Sequence, residues 1–494
     1  MELLWHHYKY YPYEKDLALR EAKALLSPRS MRTEDNAVRV EGSSKKEAAE
    51  RLVYFAGFGS SSNAQPTKQA LLERINGNGP KKQSTRYSSH GLHEYKGKFN
   101  PQIAKLLLNI FGMKPGNRVL DPFCGSGTSL VECAHLGIES VGTDINPLAV
   151  FLANAKLLAL STPAKPLLKT ALEVLASAKR SRLKQKADDA RSQYLASWFE
   201  WDHLSQIERL KASIESSGFT GSNILLAVAS NLLREYSDQE PQDLRIRRRK
   251  SPYPEISFFD AYERSVRLFC GRLEDSQSTL GIGARTSVAV HCDCRNLAKM
   301  PELDSRLFDA ALTSPPYATA LPYIDTQRLS LVWLGLVDPP ELLALEAELV
   351  GSREIRGRTK ASLLTALESN EALLPTSEIE LCRQLQNALS EGDGFRRQAL
   401  PPLLYRYFVA MSESFETTRK LLRKGAHFGL IVGGNHTTLG GRRFDIDTPA
   451  HLASLASANG WSHAETIPLQ TYQRFGLHAS NATTTESLVI LTAK

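Results

Sequence analysis

The chain has 494 residues, 42% of them hydrophobic and 23% charged, which excludes a disordered or fibrous protein and allows two to four domains. Lysine and arginine number 61 against 53 acids, and the net +8 permits a polyanionic partner. No window approaches the roughly 20 apolar residues of a membrane span, and the start, MELLWHHYKYYPYEKD, lacks a signal-peptide core, so the expectation is a cytoplasmic protein with no membrane partner.

Residues 1–85 form a leader with no legible role. Its aromatic start runs into a helical pattern, RLVYFAGF fits a strand, and GFGSSSNAQPTKQ and NGNGPKKQST are polar and turn-rich enough for linkers. NPQIAKLLLNIFG then fits an amphipathic helix that ends at Gly112. NRVLD, PFCGSG, TSLVECAHLG, IESVGTD and NPLAVFLANAKLLAL follow as strand, glycine turn, helix, strand and helix, the pattern of a parallel α/β sheet. The alternation stops at 161–285, where helical patterns rich in Lys, Arg, Ser and Leu predict an inserted module. SVAVHCD and FDAALT resume the strands, and a second helical insertion occupies 336–402. A long helix, a strand in AHFGLIVGG and a last strand in ESLVILT complete the chain. The predicted core is therefore 86–160 with 286–335 and 403–494.

VLDPFCGSGTS is not a phosphate-binding P-loop, because Thr128 stands where that loop needs lysine. It is not a full dinucleotide fingerprint either, since Leu130 holds the third glycine position. Gly125 and Gly127 nevertheless let a backbone approach a ligand closely. Asp144, at the end of the next strand, stands where a carboxylate accepts hydrogen bonds from a ribose diol.

The second singular stretch is Thr313-Ser314-Pro315-Pro316-Tyr317, a stiff corner at the end of an apolar strand. Proline has no N–H and a fixed φ. The Ser314 hydroxyl and the Pro315 carbonyl can both accept hydrogen bonds, and Tyr317 offers a face on which a base can stack.

DPFCGSGT together with TSPPY resembles the paired signature of the S-adenosylmethionine-dependent DNA amino-methyltransferases, which methylate N4 of cytosine or N6 of adenine. HEYKGKFNPQ (93–102) is similar to the segment that precedes the cofactor motif in that family. The resemblance covers 86–160 and 287–336, and the C-terminal part loosely. It implies a class I methyltransferase fold, a Rossmann-like, mostly parallel sheet with helical insertions, and S-adenosyl-L-methionine as cofactor. It places Asp121 near the methionine portion over a floor of Gly125 and Gly127, with Phe99 and Pro101 contacting it from the preceding segment. Asp144 would hold the ribose hydroxyls and Asp293 would sit by the adenine. Phe123, Thr128 and Thr313, within the same motifs, complete the implied cofactor set. Ser314, Pro315, Pro316 and Tyr317 become the catalytic corner, which a base reaches by flipping out of the duplex. Serine rather than Asp or Asn at the first motif position accompanies the N4-cytosine enzymes.

The implied partners are double-stranded DNA and a cognate restriction or phage-defence nuclease. The densest basic run, RIRRRK, supplies Arg245, Arg247, Arg248, Arg249 and Lys250 as candidate DNA contacts, and Tyr323 and Arg328 follow the corner. The helical insertion at 161–285 is accordingly expected to help recognise the target. The alternatives are the N6-adenine reaction, an RNA base methyltransferase, and a binding-only subunit of a defence complex. Six cysteines without a CxxC pair, and an isolated HCDC, predict no metal.

Overall fold

Short apolar runs bounded by turn residues become the strands of one sheet. The computed structural model describes residues 1–42, 45–60, 63–74, 83–182, 188–243, 245–283, 286–299, 306–318, 324–355, 357–470 and 485–494. Its strands are β1 (Arg118–Asp121), β2 (Glu139–Asp144), β3 (Ser287–His291), β4 (Phe308–Thr313), β5 (Leu422–Gly433), β6 (Trp461–Gln470) and β7 (Thr485–Ala493). They lie in the order β6-β7-β5-β4-β1-β2-β3. The ladder from β5 to β3 is parallel, and β7 runs antiparallel to both β5 and β6. This is the expected α/β architecture, a mostly parallel sheet with helical insertions.

Three helices flank the strands of its first half. In α1 (Pro101–Ile110) and α3 (Pro147–Ser161), Asn100 and Asn146 cap the first turn and proline takes the first helical position. Between them, α2 (Thr128–His135) starts from Gly127. The register pairs Asp121 with Gly142, Asp144 with His291 and Thr313 with Leu430. The carboxyl ends of β1, β2 and β4 therefore share one edge. The strand order reverses between β1 and β4, the point where open α/β sheets bind ligands.

The leader is a folded unit. Strands Glu2–Trp5, Ser30–Thr33, Ala37–Glu41, Phe55–Ser60 and Asn63–Pro66 make a five-stranded antiparallel sheet. The first expected linker is in fact the hairpin Phe55–Ser60 with Asn63–Pro66, followed by the helix Lys68–Leu72. Composition misled here because glycine and serine sit where two strands approach closely: a Cβ on Gly57 would stand 2.7 Å from the Gln65 carbonyl. Most of the second expected linker lies outside the described residues. Leu3, Leu17 and Phe55 of this unit share a core with Leu107 of α1 and Leu312 of β4.

The first helical insertion is not a separate body. Its helices Ala164–Arg180, Trp201–Ser216, Ser222–Ser230 and Phe258–Leu280 pack in one hydrophobic core with Leu152 of α3 and with Leu329, Leu331 and Trp333. The second insertion packs its helix Thr376–Asn387 on α4 (Leu400–Leu421), next to β5. After β5 the sequence reading also has no counterpart for the hairpin Asn435–Leu439 with Arg442–Ile446, the helix Thr448–Ala458, or β6 itself. Among the described residues no helix is long and apolar enough to cross a membrane.

Candidate active site

β1 ends at Asp121, and the chain turns through residues 122–127 into α2. Gly125 and Gly127 have φ of +49° and +82°, a region L side chains rarely adopt. Their surroundings differ. A Cβ on Gly127 would stand 2.9 Å from the Ala153 Cβ of α3, whereas a Cβ on Gly125 would meet only the Tyr95 ring, at 3.4 Å. Gly127 thus lets two helices close, and Gly125 faces the ligand side.

Polar groups fix the turn from three directions. The Cys124 N–H donates to the Thr143 carbonyl at 2.9 Å. Asp144 accepts from the Gly125 N–H at 2.9 Å and from the Asn146 N–H at 2.8 Å. Lys156, buried on α3, donates to the Ser126 carbonyl at 2.9 Å and to its hydroxyl at 2.7 Å. Burial pushes this ammonium well below its ordinary range.

At the end of β4 the Thr313 hydroxyl donates to Asp121 Oδ1 at 2.6 Å. The Phe123 N–H donates to the same oxygen at 3.2 Å. Burial pushes the Asp121 carboxyl up to about 7, with Thr313 opposing and Asp144 adding to the rise. Burial also pushes Asp144 up to about 6, against the two N–H groups it accepts. The Tyr317 hydroxyl donates to Glu486 Oε1 on β7 at 2.5 Å. Gly351, φ +77°, lies against the corner so closely that a Cβ there would be 2.6 Å from the Tyr317 carbonyl. The second insertion is therefore moulded onto the corner.

These elements enclose a cleft with about 1190 Å³ of open space. Of the sequence-predicted residues, Phe99, Phe123, Gly125, Thr128, Asp144, Asp293, Ser314, Pro315, Pro316 and Tyr317 line it. Four of the implied cofactor contacts do not. Pro101 is buried at the start of α1, Gly127 faces α3, and Thr313 spends its hydroxyl on Asp121, which is itself buried behind the turn. They support the wall instead of forming it. Asp293 reaches the cleft with both oxygens held by Arg295, at 2.9 Å from Nε and 2.5 Å from the terminal nitrogen.

The wall also contains residues that the sequence reading did not single out. Tyr95, Lys96, Gly97 and Lys98 come from the segment before α1, Glu348, Leu349 and Val350 from the second insertion, and Glu486 from β7. The first group lies within HEYKGKFNPQ and was within reach of the motif; the others are remote in sequence and carried no signal.

The basic run folds back on itself, with Gln239 bridging to Arg248. Arg249, one of the expected DNA contacts, is engaged inside the loop. Its guanidinium donates to the carbonyls of Ser237, Arg234, Glu235 and Pro252 and stacks over Tyr253, so it holds the loop together. Arg247 pairs with Asp243, and Arg248 pairs with Asp238 while lying over Trp198. Arg245 and Lys250 are exposed. Arg328 stacks on Tyr194 and Trp198 and donates to the Tyr194 hydroxyl. Tyr323 lies outside the described residues.

The cleft fits S-adenosylmethionine. Each Asp144 oxygen accepts one backbone N–H and keeps lone-pair capacity for a ribose hydroxyl. Tyr95, Phe99 and Phe123 offer aromatic faces to a sulfonium. One group away from the cleft, His90, Glu132 and His135, lies close enough to share an ion. Its carboxylate is already engaged, however, by the Tyr87 hydroxyl at 2.7 Å and by Lys105 at 3.2 Å. A cation there would have to displace that ammonium, so the cluster is a buried polar network joining α1 to α2.

The family described as RMKL-like, methyltransferase domain (UPF0020) matches residues 92–212. The chain is 26% identical over 375 residues to the Type II methyltransferase M.MvaI of Kocuria varians, covering 71% of this chain and 78% of that one. It is 22% identical over 405 residues to the Type II methyltransferase M.AvaI of Nostoc sp., covering 78% and 82%. A shorter match, 44% over 52 residues, is to the tRNA (guanine(10)-N2)-dimethyltransferase of Methanothermobacter thermautotrophicus, covering 10% of this chain and 16% of that one.

Proposed function

We propose that this methyltransferase transfers a methyl group to the exocyclic N4 amino group of a cytosine flipped out of duplex DNA. The observation that carries the proposal is the sharing of one cleft by two motifs: Ser314 and Tyr317 of the rigid corner line the same space as Gly125 and Asp144 of the glycine turn. An electrophile site and a base site are thus adjacent, which in-line transfer requires. The long matches to two Type II methyltransferases support DNA as the substrate and a place in restriction-modification or phage defence.

S-adenosylmethionine, when bound, supplies the electrophilic methyl group. Asp144 would take its ribose hydroxyls, with Phe99, Phe123 and Gly125 beside it. An exocyclic amine is a weak nucleophile because its lone pair is delocalised into the ring. The Ser314 hydroxyl and the Pro315 carbonyl accept hydrogen bonds from its two N–H groups and draw the nitrogen toward a tetrahedral shape, and the proton in excess after the N–C bond forms is lost to solvent. Pro316 keeps both acceptors fixed, and the Tyr317 ring takes the face of the base, recovering about 1–3 kcal/mol of the unstacking cost.

The test is incubation with labelled cofactor and duplex DNA, followed by mass spectrometry of the nucleosides. N4-methylcytosine supports the proposal, and its loss in a Ser314→Ala, Tyr317→Ala double variant assigns the corner. N6-methyladenine gives the runner-up reaction. The short match to a tRNA methyltransferase favours a second reading, and label in tRNA with none in DNA would establish it. A cofactor-binding protein without transfer to either would be the binding-only subunit.

A further inference from the structure

Beside the cleft lies a second concavity, enclosing about 1510 Å³ of open space. Arg245 and Tyr194 of the first insertion, Arg353 and Arg396 of the second, and Arg328 with Ile324 between the two insertions in sequence all line it. Resting on the DNA reading above, we propose that this groove seats the sugar-phosphate backbone of the duplex next to the flipped base, so that both insertions together form the recognition surface.

Three observations carry this. The first is position. Leu349 and Val350 line the catalytic cleft and Arg353 lines the groove. Three residues span at most about 11 Å, which is about three nucleotides at 3.4 Å per step along one strand. A strand with its base in the cleft therefore has its neighbouring phosphates within reach of the groove. From the other direction, Ala318 of the corner and Ile324 of the groove are six residues apart, at most about 22 Å.

The second observation is charge. The three rim arginines, Arg245, Arg353 and Arg396, are exposed, and they come from three separate segments that only the fold assembles. The acids of the groove are Asp325, Glu346 and Glu354. Asp325 faces Arg328 and is raised above its ordinary value, chiefly by burial. Glu346 accepts the Ile324 N–H at 3.1 Å, and burial pushes it up to about 7. Four arginines thus share the groove with three acids, and guanidinium groups bind phosphate in bidentate fashion.

The third is surface chemistry. Phe395 is 67% exposed and Leu343 58% exposed on the same groove. Apolar side chains interleaved with arginine suit sugar rings and the edges of an opened base step.

The experiment measures binding of a fluorescent duplex by anisotropy across a salt series, together with S-adenosylhomocysteine affinity by calorimetry and a thermal melt. In the Arg245→Ala, Arg353→Ala, Arg396→Ala triple variant, DNA affinity at 0.1 M salt should fall about tenfold or more, and the log–log salt slope by about 2–3. Cofactor affinity and the melt should stay as in the wild type. The corresponding triple lysine variant should keep the slope. A wild type that methylates DNA, with an alanine variant of unchanged affinity and slope, overturns the groove alone. A wild type with no affinity for duplex DNA at any salt overturns both the groove and the reading beneath it. Loss of self-association by the alanine variant, with DNA binding intact, would give the groove to a second copy of the chain and overturn the proposal.

Discussion

The two glycines of the cofactor turn look equivalent in sequence but should fail in different ways. Alanine in a left-handed conformation costs about 1–2 kcal/mol, and the smaller entropy of the unfolded chain returns about 0.4–1 kcal/mol. At Gly125 the added methyl would meet only the Tyr95 ring at 3.4 Å, ordinary contact, so Gly125→Ala should cost about 1 kcal/mol. At Gly127 it would stand 2.9 Å from the Ala153 Cβ and 3.1 Å from its Cα. A backbone atom cannot step aside, so overpacking adds about 1–3 kcal/mol and the total reaches about 2–4 kcal/mol. Urea unfolding followed by circular dichroism, without cofactor, reads both. Calorimetry with S-adenosylhomocysteine then separates their roles: Gly125→Ala narrows the cleft and should weaken binding about tenfold, or about 1.4 kcal/mol. Equal destabilisation of the two variants, or a Gly127→Ala protein within about 1 kcal/mol of wild type, would refute this division of labour.

Tyr317→Phe keeps the ring but loses the bond to Glu486, and its turnover should fall less than that of Tyr317→Ala, for which loss of stacking predicts about 5- to 150-fold; equal losses in methyl-transfer assays would remove the stacking role. Asp144, pushed up to about 6, is protonated below that pH and then offers a donor in place of an acceptor, so cofactor affinity should rise from pH 5 to 7 and level off. Calorimetry in two buffers should find a proton released on binding near pH 6, and an Asp144→Asn variant should bind weakly with no such rise; an unchanged pH profile would exclude Asp144 as the ribose ligand. For Asp121 the sign runs against the charged form. Its folded pKa, about 7, lies above the ordinary carboxyl value of 3.8, so the stability it contributes is present at low pH and lost as pH rises through 7. Thr313→Val removes the hydroxyl that favours the charged form, so the destabilisation relative to wild type, about 1–3 kcal/mol, should be larger at pH 8 than at pH 6 in urea titrations; a pH-independent difference would mean that the hydroxyl does not stabilise the ionised carboxylate.

The strands before and after the glycine turn were legible because local signals coincide there. FDAALT is the whole of β4, and Asn100 and Asn146, each followed by proline, mark the starts of two helices. The leader was not legible, because its hairpin uses glycine where another backbone must pass, and composition reads that as a linker. The mixed polar and apolar run of β6 hides its strand in the same way: WSHAETIPLQ alternates poorly and is held by backbone pairing with β7, the next strand, which no side-chain pattern records.

By itself the sequence determined the two motifs, their order and the residue types that carry the chemistry, because glycine conformations, a Pro-Pro corner and an acid at a strand end are properties of short segments. Tertiary structure alone decided which of those residues face the ligand. Asp121, Gly127 and Thr313 belong to the motifs yet stand behind the wall, since packing against α3 and a buried hydrogen bond claim them first. It also decided that Glu486 meets Tyr317 across 169 residues and that Arg245, Arg353 and Arg396 share one groove. Contacts between remote segments are set by the shared core that brings helices and strands together, and no local pattern encodes them.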